Sequence, residues 1–293
     1  MGQVYATDWN PLQATIANVM GAPNGLSYGW NKASSITSAQ VNSSLKINST
    51  HYNKLKDDID FCYTHITGAA SSLPTKSTGD RVYQVDLANI SAAVTYINTY
   101  KTSAAGGQLT TSNVFSDTQA YTWTATLGAT YTIPFGSVNN FNAFWNGGGS
   151  IYFNMSRYAG SATSQNQGWT NLLSNMGFIY ITPTTSGQTA NSWVGTTYVT
   201  TGISNFSPFP TTLFRIYDQD ANYTGNYFDV KVYLDGAAGA ASSLSFTILL
   251  VDNHVGSGGG PDSIDGNFAL TISQKYPYTF AASAASSSAG VLT

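Results

Sequence analysis

The sequence predicts a mainly β protein, an antiparallel β-sandwich module preceded by a small helical N-terminal attachment segment. Three observations predict it. All 14 acidic residues are Asp, and Glu does not occur; Glu favours helix interiors, whereas Asp favours caps and turns. Tyr occurs 19 times and Phe 14 times, and aromatic side chains suit the pleated face of a sheet. Finally, the apolar spacing changes along the chain, from every third or fourth residue to every second.

Residues 1–107 carry the helical spacing. Asp8 is expected to cap a first helix with Pro11 in its first turn, Leu12, Ile16 and Val19 on its apolar face and Gly21 as its stop. A second helix is expected from Thr50 to His65. Tyr52, Leu55, Ile59 and Cys62 form its apolar face, and Lys54, Lys56, Asp57 and Asp58 face away. A third opens near Asp86 and carries Leu87, Ile90, Val94 and Ile97. The polar segments between these helices read as irregular, and TSAAGG at 102–107 reads as a flexible joint.

Residues 108–280 form the predicted sandwich domain. Tyr121, Trp123, Ala125 and Leu127 alternate, as do Tyr131 and Ile133. Ile151 and Phe153 follow a kink at Gly147, Gly148 and Gly149 that lets the chain turn or approach another backbone. Phe228, Val230, Val232 and Leu234 alternate again; SLSFTILLV before Asp252 reads as a buried strand, and Phe268, Leu270 and Ile272 form the last one. Short strands with frequent turn signals suggest a sandwich. Phe228, Val230, Val232, Leu244, Phe246, Ile248 and Leu250 are its expected core. A helical insertion from Trp169 to Gly177 is placed to plug one open end with Trp169, Leu172 and Leu173. Residues 281–293 form a Ser/Ala-rich tail with too little apolar area to offset the entropy of ordering alone.

Charged residues make up only 9% of the chain, against about 25% in an ordinary soluble domain. Neutral hydrogen-bonding side chains replace them, a surface suited to packing on other protein or to meeting neutral polar ligands. The net charge is −3 with no basic run, which argues against nucleic acid as a partner. The opening MGQVYATDWN has no signal-peptide pattern, and no apolar run reaches the ~20 residues of a membrane span. The lone Cys62 excludes an intramolecular disulfide and a cysteine-rich metal site.

Candidate chemistry is sparse. Of the three histidines, His51 and His65 stand near opposite ends of one helix, and His65 reads as a cap or dipole partner. Asp252 and His254 form an Asp-x-His step that would orient a base, although an Asp-Asn turn explains it more simply. Asp218, Asp220, Asn222, Thr224 and Asp229 match the oxygen positions of a calcium loop, yet Tyr223 stands where Gly is required. A polar hairpin loop is the simpler reading. GSGGGPD at 256–262 lacks the Lys of a phosphate loop and reads as a strand connection. Trp145, Trp169 and Trp193 are candidates for stacking on carbohydrate, set against burial of at least two of them in the core. No catalytic, cofactor-binding or metal-binding residue is assigned, and no cofactor is expected.

Three places carry a family resemblance. Residues 141–177, FNAFWNGGGSIYFNMSRYAGSATSQNQGWTNLLSNMG, combine an aromatic strand, an Asn-Gly-Gly corner, an alternating strand and a short Leu-Leu helix ending in Met-Gly. Residues 226–256, NYFDVKVYLDGAAGAASSLSFTILLVDNHVG, give a strand, a turn, a strand and an Asp-Asn-His ending. The third is ITSAQ followed by HYNKLKDDIDFCYTHITG. In this order they resemble virion proteins of tailed bacteriophages, especially cyanophages. The resemblance implies a tail, baseplate or fibre component assembled in the host cytoplasm and located in the virion tail. It supplies no catalytic residue. The expected partners are other tail proteins and further copies of the chain, a trimer being favoured, with a host surface glycan as an additional partner of the β module. A receptor- or carbohydrate-binding tip is the alternative function and a capsid decoration protein a further one. No enzymatic activity is expected.

Overall fold

A computed structural model describes residues 2–43, 45–188, 197–198, 200–220, 222–254, 263–277 and 288–289, the side chains of 197–198 and 288–289 excepted. The described residues divide into two units. One takes residues up to Thr110 together with Asn142–Gly149 and residues 276–277; the other takes Thr111–Phe141, Ser150–Lys275 and residues 288–289. The first stretch of the helical unit ends at Thr110, and the segment 142–149, from a later part of the chain, lies in that unit as well.

In the helical unit, α1 (Ala6–Met20), α2 (Ser49–Thr67) and α3 (Gln84–Tyr100) surround a core that includes Trp9, Ile16, Trp30, Tyr52, Leu55, Ile59, Cys62, Ile90 and Ile97. The predicted apolar faces are the buried ones, with Leu12 and Leu87 only half-buried at their edges. Asp8 lies inside the first turn of α1 rather than at its cap, which is Tyr5. Asp58, expected to face solvent, is 1% exposed. Its carboxylate accepts from the backbone N and the hydroxyl of both Thr37 and Ser38 at 2.5–2.9 Å. Periodicity placed it among charges; the linker that folds over α2 supplies the four donors that make its burial tolerable. The joint at 102–107 is likewise fastened, since Ala105 N donates to the His65 carbonyl at 2.9 Å.

The β unit begins with β1 (Leu109–Trp123) and β2 (Thr126–Pro134). Sequence alternation runs through Ala125, but the strand does not. Ala125 has φ +75°, and the chain turns there from one sheet into the other. Next, α4 (Val138–Asn146) occupies the segment read as an aromatic strand. Phe141, Phe144 and Trp145 are spaced i, i+3, i+4, the period of a helix, and all are buried. There follow β3 (Ser150–Tyr158), α5 (Ser164–Met176), β4 (Ile179–Ile181), β5 (Ser186–Gln188), β6 (Thr197–Tyr198), β7 (Thr211–Tyr217), β8 (Tyr227–Leu234), β9 (Ser243–Val251), β10 (Ile264–Pro277) and β11 (Ser288–Ala289). The sheet orders are β1-β10-β3-β4-β5 and β11-β2-β9-β8-β7-β6. The chain is thus mainly antiparallel sheet in a sandwich arrangement, with helices nearly as abundant as strands.

Register shows how alternation becomes a core. Across β2, β9 and β8, Tyr131, Phe246 and Val232 stand side by side, as do Ala129, Ile248 and Val230. In the other sheet Ile272, Phe153 and Ile179 are aligned. Between the sheets the Phe153 and Phe246 rings lie 5.2 Å apart, within the range of favourable aromatic pairs. All seven expected core residues are buried to 1% exposure or less. α5 brings Trp169, Leu172, Leu173 and Met176 into the same core, with the Trp169 and Trp123 rings 5.7 Å apart.

Candidate functional site

One end of the β unit gathers the residues that the sequence nominated for chemistry. The β7–β8 hairpin loop, the residues after β9 and the start of α5 meet there. Neutral amides join them. Gln165 Nε2 donates to Asp252 Oδ2 at 2.8 Å, Asn253 N to Asn226 Oδ1 at 2.8 Å, and Asn253 Nδ2 to the Gly225 carbonyl at 2.8 Å. Gln165 and Asn226 are buried. Nothing in their one-dimensional context marked them, because an amide in a polar sequence has no signature until its partner is known.

Asp252 serves the fold. Besides the Gln165 amide, its carboxylate accepts the backbone N–H of His254 at 3.2 Å, the Asx-turn geometry that competes with a catalytic reading. Burial pushes its pKa up while these donors oppose the shift. The His254 ring packs edge-on against Tyr223, 4.7 Å away. The shown Asp252–His254 bond therefore turns the chain and does not orient an imidazole.

The calcium-loop pattern also resolves into a hairpin. Asp220 N donates to Asp218 Oδ1 at 3.0 Å, and Asn222 N to Asp220 Oδ1 at 2.9 Å. Asp229, in the closing position, is fully buried and paired with Arg215 through two hydrogen bonds, at 3.2 and 3.0 Å. The closing carboxylate is thus committed to a guanidinium within the sheet. Among the described residues, no group of three His, Cys or Asp side chains is placed to hold a metal ion.

Beside this loop lies an open cleft of about 570 Å³. Thr163, Ser164, Gln167 and Asn171 of the α5 region line one side, and Asp218 and Asp220 the other. Asp218 is 3% exposed, and its Oδ2 has no hydrogen-bond partner among the described residues. It fits only because α5 has Gly168 there; a Cβ on Gly168 would lie 2.5 Å from Oδ2. Burial raises the Asp218 pKa, opposed by backbone N–H donors and reinforced by Asp220. The cleft thus offers hydroxyls, amides and a carboxyl group held back from ionising. These groups bind by hydrogen bonding, and the described residues place no histidine or lysine beside Asp218 to act as its proton partner.

A folded-state pKa above the unfolded one means that the native state binds its proton more tightly. The stability it brings is present at low pH and is lost as pH rises through the folded value. At neutral pH Asp218 is therefore a cost. Asp218→Asn is expected to raise the melting midpoint at pH 7, and the gain should shrink in acid. Differential scanning calorimetry at two pH values checks this, and an equal or lower midpoint for the variant at pH 7 contradicts it.

The remaining candidates are structural. His51 completes a capping box at the start of α2, its N–H donating to Asn48 Oδ1 at 3.0 Å. His65, read as a cap or dipole partner, is 1% exposed within the helical core. Its Nε2 lies 3.0 Å from the Gly147 carbonyl, and its ring 4.5 Å from Trp30. The glycine run makes the close approach expected of it: a Cβ on Gly148 would lie 2.9 Å from Ala104 N. Trp145 and Trp169 are both core residues, 1% and 0% exposed, so neither offers a face to a sugar. Trp193 and the run 256–262 lie outside the described residues, as does the tail except for the backbone of 288–289, which pairs with β2. No protein-family model, curated protein or solved structure matches the chain.

Proposed function

We propose that the chain is a structural protein of a tailed-phage virion, associated with the tail or a fibre, and that it acts by assembling with itself and with neighbouring tail proteins. The observation that carries this reading is how the few charges are used. With charged residues at 9% of the chain, many of the carboxylates present hold the fold. Asp58 fastens a linker to α2, Asp229 is buried against Arg215, and Asp235 accepts from the backbone of Ser242 and Ser243 at 2.8 and 3.1 Å. Asp265 takes the Ser161 backbone and the Asn166 amide, at 2.9 and 2.6 Å, beside Arg157.

What remains for partners is mostly hydroxyl, amide and tyrosine surface. Such groups lose less on desolvation than ammonium or carboxylate groups do. This favours a protein that is covered by neighbours in its working state, and the resemblance to phage tail proteins supplies the setting. The test is location. Gradient-purified particles from cells infected with a phage encoding this chain should contain it at fixed stoichiometry, and immunogold labelling should mark the tail. The chain present in infected-cell lysate but missing from purified particles would overturn the proposal.

A further inference from the structure

The middle of α3 carries Asn89, Ala92, Ala93 and Tyr96 at i, i+3, i+4 and i+7, one continuous stripe along the helix. This stripe flanks the fully buried one and forms one wall of a groove of about 430 Å³ within the helical unit. Tyr63 of α2 and the segment 71–74 form the other wall. The volume falls in the range of small-ligand sites, about 300–1,000 Å³.

Three properties of this groove point to one ligand class. Its floor is apolar, with Leu73 and Ala93 both nearly buried. Its two tyrosines form a rigid pair, the Tyr63 and Tyr96 rings stacking on each other with centroids 5.0 Å apart at 24° and Tyr100 packing against Tyr96 at 4.6 Å, so they offer the groove edges and hydroxyls rather than the faces that meet. Most of its polar rim is uncommitted: Ser71 is bonded to the Asp60 carboxylate, but the side chains of Ser72 and Asn89 and the hydroxyls of Tyr63 and Tyr96 form no hydrogen bond among the described residues. The contrast with the β-unit cleft is informative, since there Gln167 is bonded to Asn171 and Gln219 to the Tyr217 carbonyl. No charged side chain lines the groove.

We infer that this groove binds a neutral hexopyranose unit of a glycan. A pyranose ring has an apolar C–H face for the Leu73, Pro74 and alanine surface and hydroxyl edges for the rim donors and acceptors, and it carries no charge. An extended proline-rich peptide also uses aromatic grooves, but it demands fewer free hydroxyl and amide groups than stand here. The site belongs to the helical unit, not to the β module where the tryptophans had suggested a sugar site. It stands or falls independently of the virion assignment.

The experiment titrates the isotope-labelled full-length chain with glucose, galactose, mannose and N-acetylglucosamine, each into the tens of millimolar, following amide shifts. Saturable shifts confined to residues 71–74 and 89–96 are expected with at least one of the four. Tyr96→Ala should weaken that binding about tenfold. Asn89→Ala and Tyr96→Phe, which remove only a rim amide and a hydroxyl, should each weaken it severalfold at an unchanged melting midpoint, so the test survives a Tyr96→Ala variant that fails to fold. No saturable shift with any of the four sugars overturns the inference. So do saturable shifts centred elsewhere, or a proline-rich peptide occupying the groove when no sugar does.

Discussion

Phe246→Ala is expected to destabilise the β unit by about 4 kcal/mol, within the 3–5 kcal/mol typical of a buried phenylalanine truncation. The expectation rests on position rather than burial alone. Phe246 is fully buried at the middle of β9. Tyr131 and Val232 flank it in register, and the Phe153 ring faces it from the other sheet at 5.2 Å. Each neighbour is held by a backbone ladder, so the cavity left by the ring has little freedom to collapse. At roughly 2–4 °C per kcal/mol for a chain of this size, the midpoint should fall by about 10 °C. Thr247→Ala, one residue along, is the control. Thr247 sits on the opposite face and shares a 3.0 Å hydroxyl contact with Thr130, so its loss should cost about 1 kcal/mol or less. Chemical denaturation of both variants separates the cases, and a Phe246→Ala cost no larger than that of Thr247→Ala would show that the two sheets do not pack as described.

The alternation that made Phe246 a core residue on sequence grounds is a local property, and local properties transferred well. β8, β9 and β10 stand where period-two spacing placed them, and α2 buries the face that period-3.6 spacing chose. What failed was long-range. Tyr121, Trp123, Ala125 and Leu127 alternate without a break, so nothing local shows that Ala125 takes φ +75° and passes the chain between sheets. FNAFWN is aromatic enough for a strand, yet its residues from Asn142 on belong with the helical unit. There Asn146 Nδ2 donates to the Gly25 and Tyr28 carbonyls at 2.9 and 2.8 Å, partners more than a hundred residues away. Asp58 reads as one charge in a charged run until Thr37 and Ser38 are folded over it. The candidate sites divide in the same way. Asp218, Asp220, Asp252 and His254 could be nominated because their types are chemically distinctive. The groove of Asn89, Ala92, Ala93 and Tyr96 could not, because alanine, asparagine and tyrosine on a helix are unremarkable until a second wall stands opposite.

The helical unit is expected to lose stability in mild acid, and His65 is the reason. The Gly147 carbonyl only accepts, so the 3.0 Å contact with Nε2 fixes the neutral tautomer that carries its proton there. Protonation must then place a second proton on Nδ1 in a site that is 1% exposed, beside the Trp30 ring at 4.5 Å. Burial lowers the pKa from 6.5 to about 4, the Gly147 hydrogen bond opposing the shift. For a histidine whose folded pKa lies below its unfolded one, the unfolded chain takes up the proton first. The stability is therefore complete above pH 6.5 and is lost as pH falls from 6.5 towards 4. That interval corresponds to about 3 kcal/mol at 1.36 kcal/mol per pH unit. Asp218 and Asp252 have raised pKa values and act in the opposite direction over part of this range, so a whole-molecule melting curve would blend the two signs. Both carboxylates belong to the β unit. Amide hydrogen exchange resolved by residue separates them: protection of α2 and α3 should fall between pH 6.5 and 4.5 while that of β8 and β9 holds. The imidazole signal of His65 gives the direct check. It should stay in its neutral position through pH 6, and His65→Gln should flatten the loss of protection. A His65 signal that titrates near pH 6.5 with the helical unit fully protected would mean that the ring is not enclosed as described.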